Sequence, residues 1–306
     1  MRSLLDGTLA ALRGAVAVEE PIGTLVGELH KLRSTLPAHS WRQWAEVQVR
    51  GHAIYPALLE DPFVRHSAER PRGYPGDAEL LDYIYESGNI LPALQQASDL
   101  GRRLYDYTHT APAPAAVRGR LELAIAEIER LAAGGGRPHI LSVACGHLRE
   151  APRLASLRDG RLGRFVALDQ DPLSLALVRR DWADRGVEVR EGSALGLIRT
   201  GREDFGRFDF IYALGLYDYL SDEAGRRLLA AAVDMLNPGG RVWIANFTEN
   251  LWSSGYMEAV MDWWLVYRSE AQLESMAEYV DPAKVASQRV FYEPCRNVAI
   301  LEVVKS

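Results

Sequence analysis

The chain has 306 residues, of which 48% are hydrophobic and 25% are charged, enough for one large domain or two smaller ones. Its formal net charge is −6 and its isoelectric point is about 5.7. The sequence therefore does not predict a nucleic-acid partner, which would favour a basic patch or stripe. No apolar run reaches the roughly 18 residues of a membrane span, so no membrane partner is expected either.

Cysteine usage indicates the redox setting. The two cysteines, Cys145 and Cys295, are predicted to be unpaired, and no signal peptide is recognised. We therefore expect a reducing, cytoplasmic location. Cysteine and histidine do not occur in pairs at ligand spacing, so no metal site is expected.

Residues 1–110 have the periodicity of amphipathic helices. Two apolar faces and one longer amphipathic segment are predicted in this part: Leu4, Leu9, Leu12 and Val16; Leu25, Leu29, Leu32 and Leu36; and residues 41–59.

A turn and a linker follow the first helices. Pro75 and Gly76 fit a type II turn, and Asp77 is a good N-cap for a helix over residues 78–87. The proline-rich residues 110–114 are predicted to be a linker. It divides a helical N-terminal lid or cap, residues 1–115, from a second domain, residues 116–306.

The second part alternates strands and helices. Residues 116–133 predict a helix that three glycines end, and predicted strands lie at 139–144, 164–169, 187–191, 208–213, 241–247, 287–293 and 297–304. Helices are expected between the first five strands, and the last two strands are expected to form an antiparallel hairpin.

The most informative segment is the turn after the first predicted strand. It contains Gly146 and precedes a helix pattern, and the second strand ends in Asp169. An acidic residue at that position can accept both hydroxyls of a ribose. Because the turn is not G-x-G-x-x-G, it is not suited to a pyrophosphate. The pattern therefore predicts a nucleoside cofactor without a diphosphate, with S-adenosylmethionine as the leading candidate.

Residues 116–306 resemble the class I S-adenosylmethionine-dependent methyltransferases. The motifs that carry this resemblance are Leu168-Asp-Gln-Asp-Pro172, Glu191-Gly-Ser-Ala194, Phe208-Asp-Phe-Ile-Tyr-Ala-Leu214 and Leu236-Asn-Pro-Gly-Gly240 before an apolar strand. The first motif departs from the family, because Ser142 replaces an acid and Ala144 and Leu148 replace glycines. The resemblance implies an α/β fold, a Rossmann-like seven-stranded sheet with a C-terminal antiparallel hairpin.

A finer resemblance concerns Arg72-Gly-Tyr-Pro-Gly-Asp77 and the turn at residues 146–150. Both are similar to a bacterial subgroup that includes fatty-acid-ester biosynthesis methyltransferases and azetidine-2-carboxylic acid synthases. The resemblance implies methyl transfer to a small-molecule acceptor in secondary metabolism. Two alternatives stay open: cyclisation of S-adenosylmethionine by its own α-amine, which releases methylthioadenosine, and non-catalytic cofactor binding.

The cofactor-binding residues are expected around the first turn. Asp169 is predicted to bind ribose, since Asp171 before Pro172 is the better helix cap. Ala144 and Gly146 would let the methionyl arm lie against the backbone. Arg149 and Glu150 could hold its carboxylate and ammonium, or they could form a solvent-exposed first helical turn.

Further candidates lie along the same sheet edge. Ser193 and Ala194 are expected beside the adenine, and Gln170, Ala213 and Leu214 complete the predicted cofactor contacts. Tyr217, near Asp218 and Tyr219, is a candidate for the reacting centre, because aromatic faces stabilise a sulfonium. Asn246 could fix the nucleophile, and Tyr74 could belong to a lid. A helix over residues 255–268 is predicted to be mostly core.

Overall fold

The computed structural model describes residues 2–14 and 17–306, and within them the side chains of residues 200–202 and 204 are not considered. The predicted apolar position Val16 therefore lies outside the described residues. The chain divides into two compact units. The first is Met1–Ala115 with Asn250–Trp264, and the second is Ala116–Glu249 with Leu265–Ser306.

The first unit is helical. Its helices are α1 (Arg2–Arg13), α2 (Glu19–Thr35), α3 (Ala38–Trp44), which continues as a π-helical turn over Ala45–Arg50, α4 (Tyr55–Leu58), α5 (Pro62–Glu69), α6 (Ala78–Ile84), α7 (Leu91–Gln96) and α8 (Asp99–Thr108). The Asp77 carboxylate accepts a hydrogen bond of 2.7 Å from Leu80 N and so caps α6 as predicted. Gly76 has φ +73°, which fits the predicted type II turn.

The predicted linker is wrong, because α9 (Pro112–Ala133) begins inside it. Proline is compatible with the first turn of a helix, where its missing N–H group has no intrahelical acceptor. Pro112 and Pro114 therefore start this helix, and the boundary between the units, at Ala115 and Ala116, falls within the helix.

Residues 250–264, which the sequence analysis places in the second part, pack within the first unit. A Cβ atom on Gly255 would lie 2.6 Å from the carbonyl carbon of Leu29, so the close approach to α2 requires glycine. The buried Glu258 carboxylate accepts hydrogen bonds from Arg33 at 2.8 and 2.9 Å and from Trp41 Nε1 at 2.6 Å. These contacts, together with apolar burial, fix the segment in this unit.

The helix predicted over residues 255–268 is wrong in length, since α14 covers only Ser254–Ala259. Asp262 has φ +52°, which is incompatible with a continuing α-helix. Its carboxylate pairs with Arg50 and Arg70 of the same unit. The long-range ion pairs therefore override the helical periodicity of the sequence.

The second unit contains one sheet, which has seven strands among the described residues. The strands are β1 (His139–Val143), β2 (Arg164–Asp169), β3 (Val187–Glu191), β4 (Phe208–Ala213), β5 (Leu236–Phe247), β6 (Val285–Tyr292) and β7 (Val298–Lys305). Their order is β3-β2-β1-β4-β5-β7-β6. β1 to β5 are parallel, whereas β7 is antiparallel to both β5 and β6. The predicted Rossmann-like sheet with an antiparallel C-terminal hairpin is confirmed.

Helices connect the parallel strands. They are α10 (Ala155–Arg158), α11 (Pro172–Trp182), α12 (Ala194–Phe205) and α13 (Asp222–Asp234), and α15 (Glu270–Glu274) precedes the hairpin. The core between the sheet and α13 includes Leu141, Ile211, Leu229, Ile244 and Leu301. The central strands are buried on both faces of the sheet. A ligand can therefore reach their polar groups mainly at the strand ends and in the loops that follow them.

A membrane-crossing helix is absent from the part of the chain that the structure describes.

Candidate functional site

Every second residue from 144 to 148, in the turn after β1, has a left-handed backbone. Ala144, Gly146 and Leu148 have φ values of +54°, +53° and +51°. A helix directly after this turn was expected, but only a 3₁₀ turn over Ala151–Arg153 and the four-residue α10 follow. The positive φ of Leu148 and the extended backbone before α10 explain why no longer helix forms.

Asp169 joins this turn to the end of β2. Its carboxylate accepts hydrogen bonds from Gly146 N at 2.8 Å and from Asp171 N at 2.9 Å, one on each oxygen. Burial raises the pKa of Asp169. Each carboxylate oxygen has a second acceptor position. The carboxylate therefore shapes the turn and can still accept ribose hydroxyls.

Two other candidates at this edge cap helices. The Asp171 carboxylate accepts a hydrogen bond from Leu173 N at 2.9 Å and caps α11, as expected. Ser193 Oγ accepts one from Gly196 N at 3.2 Å at the start of α12. Ser193 and Ala194 are half-buried, and Gln170 is exposed. The adenine contacts of Ser193 and Ala194 and the cofactor contact of Gln170 stay predictions.

Glu150 is buried rather than exposed, so the alternative of a solvent-exposed helical turn is wrong for this residue. Its carboxylate accepts hydrogen bonds from the hydroxyls of Tyr212 and Ser142, the latter at 3.3 Å. Burial raises the pKa of Glu150. The neighbouring half-buried Arg149 lies 3.2 Å from Nδ1 of His147, measured from a guanidinium nitrogen.

The candidate residues at the end of β4 and in the loop after it differ in burial. Ala213 is buried and Leu214 is half-buried at the end of the strand. The Tyr217 ring lies in the hydrophobic core, and its hydroxyl donates a hydrogen bond of 3.3 Å to the Gly225 carbonyl. Its predicted role at the reacting centre is therefore not supported by its position. Tyr219 is 40% exposed.

Asp218 is the buried acid of this loop. One oxygen accepts a hydrogen bond of 2.7 Å from Phe247 N, and the other lies 3.8 Å from Nη1 of Arg120. Burial raises the pKa of Asp218 to about 6, although the positive charge of Arg120 acts in the opposite direction. The residue links the loop after β4 to the end of β5.

The Asn246 side chain also forms hydrogen bonds within the protein. Its amide nitrogen donates to the carbonyls of Phe247 at 2.9 Å and Val266 at 2.8 Å, and its oxygen accepts from Arg268 at 2.6 Å. Since the side chain is 1% exposed and its donors are used, Asn246 holds the backbone together at this edge. This arrangement does not favour its predicted contact with a nucleophile.

Arg268 and Arg120 are site residues that the sequence analysis missed. Arg268 follows an aromatic segment and gives no sequence signal. Arg120 stands on the buried stripe of α9 with Val117 and Ala124, where an arginine is unexpected, and this pattern could have revealed it. Tyr74 lies in the first unit and is 38% exposed.

Metal ligands are not clustered in the described part of the chain: no group of three or more His, Cys, Asp or Glu side chains is arranged to hold an ion. The polar groups described above are carboxylates, guanidinium groups and backbone N–H groups.

Part of the sheet region matches a known protein family. Residues 140–240 match the model of the family described as "Methyltransferase domain". The second unit resembles the class I methyltransferases. The matched region runs from β1 through the Pro-Gly-Gly turn of β5 and includes Asp169, so the resemblance predicted from the sequence is confirmed. A comparison with curated proteins finds no match to this chain.

The chain also aligns with solved structures, and the first of the three below supports a shared fold. A possible exported protein from Bordetella parapertussis aligns with a TM-score of 0.55 at 19% identity and covers 84% of this chain and 98% of its own. Magnesium protoporphyrin IX methyltransferase from Synechocystis PCC 6803 aligns with a TM-score of 0.47 at 11% identity over 74% of this chain and 97% of its own. The S-adenosylmethionine-dependent methyltransferase SibL aligns with a TM-score of 0.47 at 17% identity over 86% and 73%.

Proposed function

We propose that the protein is an S-adenosylmethionine-dependent methyltransferase that acts on a small-molecule acceptor. The observation that carries the proposal is the position of Asp169. It lies at the tip of β2, inside the region that matches the methyltransferase domain, and is hydrogen-bonded to the glycine of the turn after β1. In an open α/β sheet, ligands bind at the carboxyl ends of the strands.

The residues at this edge fit the chemistry of the proposed cofactor. The Asp169 carboxylate has an acceptor position left on each oxygen for the two ribose hydroxyls. Ala144 is exposed and Gly146 is half-buried, so ligand atoms can approach the backbone between them. When bound, the cofactor supplies a methyl group that is already activated by the sulfonium charge.

The protein's own contribution is alignment and exclusion of water. Tyr217 and Asn246 are both engaged in the protein's own hydrogen bonds, which does not favour either as a general base. A reaction led by proximity is compatible with this arrangement, provided that the acceptor atom is unprotonated when it attacks.

The binding part of the proposal is tested with Asp169→Asn and the matched control Asp171→Asn, measured by calorimetric titration of S-adenosylhomocysteine. Asparagine at 171 can still cap α11, so the affinity of this variant for S-adenosylhomocysteine is expected to stay within about threefold of that of the original protein. Asparagine at 169 loses the charge and one acceptor, and the affinity is expected to fall by about tenfold or more. Equal affinities of the two variants would contradict the ribose assignment.

The reaction is tested by incubating the protein with S-adenosylmethionine, with and without a panel of small amines, phenols and carboxylic acids, and identifying products by mass spectrometry. A methylated acceptor together with S-adenosylhomocysteine is the expected result. Formation of methylthioadenosine and a cyclic amino acid without any acceptor would show that the reaction is cyclisation rather than methyl transfer. Binding without any product would indicate a non-catalytic cofactor-binding protein.

A further inference from the structure

Arg120 is a buried arginine with two guanidinium nitrogens that lack hydrogen-bond partners among the described residues. The residue is 3% exposed, and within the described residues its Nε and Nη1 atoms have no hydrogen-bond partner. Burying a donor without a hydrogen-bond partner is unfavourable, and more so for a charged group. An arginine in this state therefore requires an explanation.

The immediate neighbours of Arg120 do not provide hydrogen-bond acceptors for its Nε and Nη1 atoms. Its Nη1 lies 3.8 Å from the Asp218 carboxylate, which gives charge attraction but is too long for a hydrogen bond. The guanidinium carbon lies 5.8 Å from the centre of the Phe247 ring. Arg268, by contrast, makes five hydrogen bonds from its three nitrogens within the same unit.

The guanidinium lies at the sheet edge where a ligand is expected. Gly215 is the second residue after β4, and a Cβ atom on it would lie 3.3 Å from Nη2 of Arg120. Phe247 is the last residue of β5. The group is thus placed at the carboxyl ends of β4 and β5, next to β1, where the strand order reverses. All these residues belong to the second unit.

We propose that Arg120 binds a carboxylate group of the ligand held at this edge, an inference that rests on the proposed function. The planar guanidinium presents paired N–H groups that match the two oxygens of a carboxylate. The Asp218 carboxylate, 3.8 Å from Nη1, partly balances the charge of the arginine without accepting a hydrogen bond from it. The carboxylate can come from two sources, the amino-acid arm of the cofactor or the acceptor.

The test uses Arg120→Met and Arg118→Met, the same change on the same helix, with calorimetric titration of two nucleosides. S-adenosylhomocysteine carries the carboxylate, and 5′-methylthioadenosine lacks the whole amino-acid arm. If the amino-acid arm supplies the carboxylate, Arg120→Met lowers the affinity for S-adenosylhomocysteine by about tenfold or more and leaves the affinity for methylthioadenosine unchanged. Arg118→Met is expected to leave both affinities unchanged.

The second arm of the experiment titrates benzoate and benzamide into protein saturated with S-adenosylhomocysteine. If the acceptor supplies the carboxylate, benzoate binds the original protein better than benzamide does, and Arg120→Met abolishes that preference while keeping the affinity for S-adenosylhomocysteine. An Arg120→Met protein that matches the original with all four compounds would overturn the proposal. Absence of any nucleoside binding by the original protein would instead reject the proposed function, and this inference with it.

Folding of the variant is controlled separately. Removing Arg120 leaves the buried Asp218 without its cationic neighbour, so the double variant Arg120→Met/Asp218→Asn removes both charges and is titrated in the same way. Because an unsatisfied charge is removed, the double variant is expected to retain the melting temperature of the ligand-free protein. The loss of carboxylate binding should be the same as in the single variant.

Discussion

Nη1 of Arg268 donates a hydrogen bond of 2.6 Å to Oδ1 of Asn246, and this bond joins a residue at the end of β5 to the segment that precedes α15. The same guanidinium donates to the carbonyls of Tyr217 at 2.8 Å and Leu220 at 2.7 Å, in the loop after β4. It also donates to Asp222 at the start of α13. One buried side chain thus sets the shape of the strand ends where acceptor chemistry is expected.

Arg268→Met is expected to lower the free energy of unfolding by about 3–5 kcal/mol, since it leaves two buried carbonyls and the Asn246 oxygen without their donor. Arg227→Met is the matched control: Arg227 is 62% exposed and pairs with Glu223 on the surface of α13, a pair worth less than about 1 kcal/mol. Urea unfolding measures both variants. Similar losses in the two would show that Arg268 does not stabilise the loop.

Ala144 and Leu148 have the same left-handed backbone but differ in burial, since Ala144 is exposed and Leu148 is 0% exposed. Ala144→Gly relieves the strained φ and is expected to be neutral or to stabilise by up to about 1 kcal/mol. Leu148→Gly also removes a buried side chain and is expected to destabilise by about 2–5 kcal/mol. Chemical denaturation gives the two values, and destabilisation by Ala144→Gly would mean that the left-handed backbone carries no strain.

The buried Asp61 of the first unit predicts a pH dependence. It accepts hydrogen bonds from Phe63 N at 2.9 Å and from the Thr108 hydroxyl at 2.6 Å, and burial raises its pKa from 3.8 to about 7. Because the folded state binds this proton more tightly, its stabilising contribution is complete below about pH 4 and is lost as the pH rises towards 7. The total effect is on the order of 4 kcal/mol.

Asp61→Asn keeps an acceptor for the helix cap but cannot ionise. The variant should therefore gain stability relative to the original protein as the pH rises from about 4 to about 7. Guanidinium denaturation at several pH values provides the comparison. Two stability curves that stay parallel over this range would show that the carboxyl group does not titrate there.

Glu150 and Tyr212 provide a matched pair of substitutions. Glu150→Gln keeps an acceptor for the Tyr212 hydroxyl and removes a buried ionisable group whose pKa is raised by burial. At pH 8 the variant is expected to be as stable as the original or more stable by about 1 kcal/mol. Tyr212→Phe removes a donor from the carboxylate and is expected to cost about 1–3 kcal/mol. Thermal unfolding at pH 8 compares them, and the opposite order of stabilities would contradict this account.

The strands of the second unit could be predicted closely from the sequence, because apolar residues recur along each strand and turn residues separate the strands. β2, β3 and β4 have the predicted bounds. β5 begins at Leu236 instead of 241, since Leu236 pairs with Phe208 across a register shift. The Pro-Gly-Gly segment was interpreted as a turn before the strand, whereas it lies within the strand's bounds.

The polar contacts of the site could not be predicted in the same way. Tyr217, after β4, and Asn246, near the end of β5, are candidates by their position, but their donors find acceptors in Gly225 and Val266. Such partners depend on tertiary packing rather than on local pattern. The same holds for Asp262, whose partners Arg50 and Arg70 are about 200 positions away in the sequence and end a helix that periodicity predicts to continue.

The path of the chain between the units has a consequence for protein synthesis. The first unit includes Asn250–Trp264, so it cannot be completed on the ribosome until β1 to β5 of the second unit have already been made. The sheet is also completed late, because β7 lies between β5 and β6 and is translated after both. The first unit is therefore unfinished until residue 264 has emerged, and the second until residue 305 has emerged. During synthesis each unit exposes apolar surface that its missing segment later covers.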